Sequence, residues 1–200
     1  MRFLKIVILS ILIFAGLSSA YIATPKKYKY AISDWYARIG AQPFIESPDS
    51  FYAKDQSEVI RGLEARNLKP TCVGNLLPEE KIGKLYDYQC YSFISSAYDN
   101  IPAKMVAFFF EKNKLTHVRL EFPDTSFEKI HAYLSRKFAN YPRLDQMPNH
   151  HIKPDNYGKP MNVWIVENGL VSMSGEGTPN RDVVVLWSSY DRELLRNLKN

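Results

Sequence analysis

The chain has 200 residues, 46% of them hydrophobic and 24% charged, which excludes an intrinsically disordered segment and describes an ordinary globular protein. A formal charge of +5 gives it no special claim on nucleic acid, and no glycine-rich loop is present to cradle phosphate. The two cysteines are not spaced as CxxC, and a redox or zinc site would want that spacing or more ligands; a chain of this length needs no metal or other cofactor to stay folded.

The start, MRFLKIVILSILIFAGLSSA, reads as an export signal covering residues 1–20: Arg2 and Lys5, an apolar run from Ile6 to Leu17, then small residues at Ser18 and Ala20. Cleavage after Ala20 yields a periplasmic or secreted protein of formal charge +3, because Arg2 and Lys5 leave and no acid does. The alternative is an uncleaved inner-membrane anchor over residues 4–23, whose apolar stretch of about 18 residues is at the lower limit for spanning a bilayer. Lys26, Lys27 and Lys29 follow at once, and positive charge there opposes export.

Thr24-Pro25 predicts a helix start, and Ile32, Trp35, Tyr36 and Ile39 give that helix an apolar stripe up to Gly40. A proline-bearing loop then completes an N-terminal segment of residues 24–54. Asp55 and Glu58 predict the cap of a second helix, with Val59, Ile60 and Leu63 as its buried stripe and an end near Asn67. The stretch NLKPTCVGNLLPEEKIG reads as a linker. Three strand-like runs follow, LYDYQCYSF, AKMVAFFFE and KLTHVRLEF, the last two joined by a turn at Lys112-Asn113 or Asn113-Lys114.

Thr125 and Glu128 predict a capping box, and Phe127, Ile130, Leu134 and Phe138 form the apolar stripe of a third helix. Beyond a polar loop containing His150-His151, MNVWIVE and LVSMSG flank Asn168-Gly169 as a second hairpin. With the turn at Asn168-Gly169, Trp164 faces Met173 and Val166 faces Val171, making one apolar face. VVVLWSS is a sixth strand, and Asp191 caps a short final helix.

This order predicts an α+β fold of two αβββ-like modules, residues 55–124 and 125–200, each laying a helix on an antiparallel sheet, with the two sheets running together. The plan is similar to that of exported inhibitors of the beta-lactamase inhibitor type and of small outer-membrane assembly proteins, a likeness of architecture alone. Cys72 and Cys90, the only cysteines of an exported chain, predict one disulfide.

Three consecutive rings, Phe108, Phe109 and Phe110, cannot all enter one core, because neighbours on a strand point to opposite faces. Any two-residue turn at Lys112-Asn113 or Asn113-Lys114 places Phe108 and Phe110 beside His117, Arg119 and Glu121, while a three-residue turn places Phe109 there instead. Aromatic and charged side chains mixed on one sheet face, with Tyr88 nearby, have the composition of a recognition surface. The expected binding residues are therefore Phe108, Phe110, His117, Arg119, Glu121 and Tyr88. No catalytic constellation and no metal site is expected: Ser126 and Lys129 have the spacing of a nucleophile pair but lie at a helix start.

The functional expectation is an exported, non-catalytic cell-envelope protein that binds a protein partner as an inhibitor, immunity factor or assembly accessory. The alternatives are an envelope hydrolase using His117 and Glu121 or the His150-His151 loop, and a membrane-tethered structural protein.

Overall fold

The computed structural model describes residues 39–74, 88–148 and 152–190. The signal or anchor segment, the helix expected from Pro25, Tyr86, His150 and His151, and the helix expected after Asp191 lie outside the described residues. From Gly40 onward the chain forms one compact unit.

The regular elements among the described residues begin with helix α1 (Gln56–Glu64) and strands β1 (Thr71–Gly74), β2 (Tyr88–Phe93), β3 (Ser96–Ala97), β4 (Ile101–Pro102), β5 (Met105–Glu111) and β6 (Lys114–Phe122). Helix α2 (Phe127–Lys137) and strands β7 (Met161–Val166), β8 (Gly169–Ser174) and β9 (Val183–Ser189) complete them. The fold is α+β: one antiparallel sheet in the order β1-β2-β5-β6-β9-β8-β7, with β3 and β4 making a separate small ladder. Two three-stranded meanders, β2-β5-β6 and β9-β8-β7, meet through β6 and β9. That join buries Val118 against Trp187, Leu120 against Val185 and Phe122 against Val183.

Both helices cover the same face. Val59 and Leu63 of α1 and Ile130 and Leu134 of α2 enter one core with Val106, Phe108, Phe110, Phe122, Trp164 and Trp187. Residues 41–54 are more than a linker, for Phe44 and Phe51 are each 1% exposed. Phe44 meets the Phe108 ring edge-on at 6.1 Å and Phe51 meets Trp187 at 5.7 Å. A loop with alternating prolines and aromatics thus supplies part of the covering layer.

The starts of the helices differ from expectation, while α1 ends near Asn67 as expected. Asp55 is the residue before α1, but its side chain makes no cap and instead pairs with Lys114 at 3.1 Å. Asn67 in the left-handed region, φ 58°, terminates the segment after α1, with the Leu68 N–H donating to the Leu63 carbonyl. The Thr125–Glu128 capping box does not form. A 3-10 turn over Asp124–Ser126 precedes α2, and Asp124 accepts hydrogen bonds from the N–H groups of Thr125 and Asn180.

The expected disulfide joins Cys72 to Cys90, which are directly opposite on β1 and β2. The four residues of β1 lie in the stretch read as a linker. Each of the sheet's two edges is tied down, since at the other end Pro142 and Asp145 flank β7. The Pro142 carbonyl accepts from the Ile165 N–H, and the Asp145 carboxylate accepts from the Val163 N–H, both at 2.9 Å.

Candidate recognition surface

The first hairpin turns at Lys112-Asn113, both with positive φ (48° and 67°), the conformation that matches the twist of paired strands. Glu111 pairs with Lys114 and Phe110 with Leu115, but Phe109 pairs with His117, so the register shifts between Phe109 and Phe110. Thr116 is the extra residue, and its hydroxyl donates to the Phe109 carbonyl at 3.1 Å. One added residue inverts every side chain beyond it. From Phe109 back to Met105, each residue therefore faces the opposite set from the one a plain two-residue turn predicts.

That inversion corrects three expected site residues. Phe108 and Phe110, 2% and 0% exposed, lie on the packed face and not beside His117. Tyr88 pairs with Phe110 on that same face, its ring edge-on to Phe110 at 6.2 Å and stacked over Gly74, where an added Cβ would come within 2.0 Å of the ring. Phe109 is the ring that shares a face with charge.

The second face reads in rows of directly paired residues. One row runs Tyr91, Ala107, Arg119, Leu186, Ser172, Val163 across six strands. A second runs Phe93, Met105, Glu121, Val184, and a third Gln89, Phe109, His117, Ser188, Leu170, Ile165. His117, Arg119 and Glu121 are thus brought together as expected. Tyr91 and Phe93 join them, edge-on at 6.1 Å, with Phe93 38% exposed. Phe93 stands in the run that sequence reading made a strand, but its face follows from the β2–β5 register.

Part of this face is covered. Leu144, Val163 and Ile165 form a small second core, with Met147 and Ile152 packed against it. Arg143 holds the covering segment: its guanidinium donates to both Asp145 oxygens at 2.8 and 2.6 Å, to Asn162 at 2.7 Å, and lies 4.9 Å over the Trp164 ring. Burial pushes the Asp145 carboxyl up, but the bonds from Arg143 and the Val163 N–H outweigh it and leave the pKa below the ordinary 3.8.

On the uncovered remainder, His117, Arg119 and Glu121 have different surroundings. Burial pulls the His117 imidazole below its ordinary 6.5, a shift only partly opposed by the Glu111 carboxylate. Its Nδ1 faces the Thr116 hydroxyl at 3.1 Å, whereas Glu121 is engaged by Arg119 at 2.8 Å. Four residues of strand, about 13 Å, separate His117 from Glu121, so they do not form an acid-base pair. Arg119 presents an open guanidinium end, with its side chain 44% exposed, yet its Nε is buried without a hydrogen-bond partner.

Beside Arg119 the face deepens into a trough of about 250 Å³. Val184, Leu186 and Met161 contribute apolar lining, while Tyr157 and Arg181 come from the flanking loops. The Arg181 guanidinium lies 5.2 Å over the Tyr157 ring. Among the described residues, no three His, Cys, Asp or Glu side chains gather as a metal site would need, and no helix is long and apolar enough to cross a membrane.

No family model matches the chain, and no curated protein or solved structure matches it either.

Proposed function

We propose that the chain is an exported, non-catalytic protein-binding module of a cell envelope, of the inhibitor, immunity or assembly-accessory kind. One observation carries the reading: helices cover one face of the sheet, while the other mixes Tyr91, Phe93 and Phe109 with His117, Arg119 and Glu121 in paired rows. Aromatic anchors beside a guanidinium are what the energetically dominant part of a protein interface is made of. The N-terminal signal and the disulfide support export, because a structural disulfide persists in an oxidising compartment. The meanders β2-β5-β6 and β9-β8-β7, each preceded by a helix, support two αβββ repeats fused through their last strands.

The test is crosslinking in the intact envelope, comparing wild type with a Phe93→Ala/Arg119→Ala double variant and identifying captured proteins by mass spectrometry. A partner captured by the wild type and lost from the variant, with the variant's unfolding transition preserved, is the expected result. Equal capture by both would remove this surface from the interface.

A further inference from the structure

We propose that the trough beside Arg119 is a carboxylate-binding subsite, taking an acidic side chain or chain terminus that the protein partner presents next to an apolar group. This rests on the protein-binding reading above and names the chemistry the partner must bring.

The charges around the trough decide its preference. Its acids are spent internally: Asp155 accepts from the N–H groups of Tyr157 and Lys159, both at 2.8 Å. Glu176 is bound by Lys159 at 2.7 Å, and Asp182 by Lys104 at 2.7 Å. The guanidinium groups keep donors in hand. Arg181 lies 5.2 Å over the Tyr157 ring and has no acidic partner among the described residues. Arg119 uses one terminal nitrogen on Glu121, while its buried Nε donates to nothing. The exposed end of Arg119 borders the trough and is the part of that side chain an acceptor there would meet.

Shape supports the same ligand. An apolar cavity of about 150 Å³ accommodates a benzene ring. At about 250 Å³, the trough has room for a ring or branched aliphatic group together with a carboxylate. Val184, Leu186 and Met161 supply the apolar lining for that body. A cationic ligand would meet two guanidinium groups, and of the three acids Glu176 and Asp182 are each already paired with a lysine. A neutral ligand would leave the Arg119 and Arg181 donors without charge complementarity.

The experiment uses the full chain, isotopically labelled and kept in solution with a mild non-ionic detergent. Benzoate, benzamide and benzylamine are titrated at constant ionic strength while the arginine Nε–Hε resonances are followed by NMR. The expected result is saturable movement of the Arg119 and Arg181 signals with benzoate, at least tenfold weaker binding of benzamide, and none by benzylamine. Arg181→Gln should weaken benzoate at least fivefold without altering the thermal unfolding midpoint. Benzamide binding as tightly as benzoate, tighter binding of benzylamine, or no saturable movement would overturn the proposal. The two readings fail separately. Partner capture that depends on Phe93 with a flat benzoate titration removes the subsite alone, whereas benzoate binding without a captured partner keeps the subsite and removes the protein-binding role.

Discussion

The two faces of the sheet are built from the same strands and have opposite fates. On the packed face, Phe108 and Phe110 are under two helices and a loop; on the other, Phe109, one residue from each, shares a row with His117. Composition does not separate them, since each face carries rings. What separates them, among the described residues, is cover: α1, α2, Phe44 and Phe51 on one side, and on the other a short segment around Leu144 packed on β7 and β8. A strand's chemistry therefore becomes core or surface according to what the rest of the chain lays over it.

The sharpest way to break that contrast is to truncate adjacent rings. Phe108→Ala should lose about 3–5 kcal/mol of stability, the usual cost of deleting a fully buried ring. Phe109→Ala, half-buried, should lose about 1 kcal/mol. Urea unfolding of both variants measures the difference, and equal losses would mean that the two faces are packed alike.

The partial cover of the open face can be lifted at one residue. Asp145→Ala leaves the Val163 N–H unpaired and removes two of the acceptors of the Arg143 guanidinium, which keeps Asn162, and should cost about 1–3 kcal/mol. Because the folded-state pKa of Asp145 is below its ordinary value, its contribution is complete above about pH 4 and is lost as pH falls through the folded value. The variant should therefore show a shallower acid limb in a plot of unfolding midpoint against pH. An unchanged acid limb would mean that the carboxylate does not hold the cover.

The cover of the packed face can instead be strengthened. Gly62 is inside α1, and an added Cβ would meet nothing within 4 Å. Gly62→Ala should stabilise the protein by about 0.5–1 kcal/mol through helix propensity alone, read as a raised thermal midpoint. A fall would show that the side of α1 over the sheet has no room to spare.

The smallest effect concerns the open face. Its lowered pKa means that the unfolded chain binds a proton more readily than the folded one at His117. Stability is then complete above about pH 6.5 and declines as pH falls from there through the folded value. His117→Gln should flatten that decline in chemical unfolding between neutral and mildly acidic pH, and a decline of unchanged size would place the titrating group elsewhere.

Sequence reading and structure agree where local rules dominate. Helical spacing located α1 and α2, alternation and turn residues located β2 and β5 to β9, and counting cysteines paired Cys72 with Cys90. Agreement was weaker at turns. The second hairpin turns at Glu167-Asn168, so Trp164 pairs with Val171 and not with Met173. The slip is of two positions, and with a side-chain period of two the apolar face survived it. In the first hairpin the slip is of one position, at Thr116, and the faces exchanged. Strand β1 was missed because four residues after a proline carry no periodic signal. Cys72 held the one clue, since a disulfide to a strand residue is satisfied by a neighbouring strand.

By itself the sequence determined α1, α2 and six of the strands, that the sheet is antiparallel, and that the cysteines pair, because these follow from side chains a few residues apart or from having only one partner to choose. Which ring of Phe108, Phe109 and Phe110 faces the charges, that Tyr88 lies over Gly74, and that Arg119 and Arg181 border one trough were decided only by tertiary structure. Those facts depend on a single-residue bulge and on loops far apart in the chain, and side-chain identity along one strand does not encode what will pack beside it.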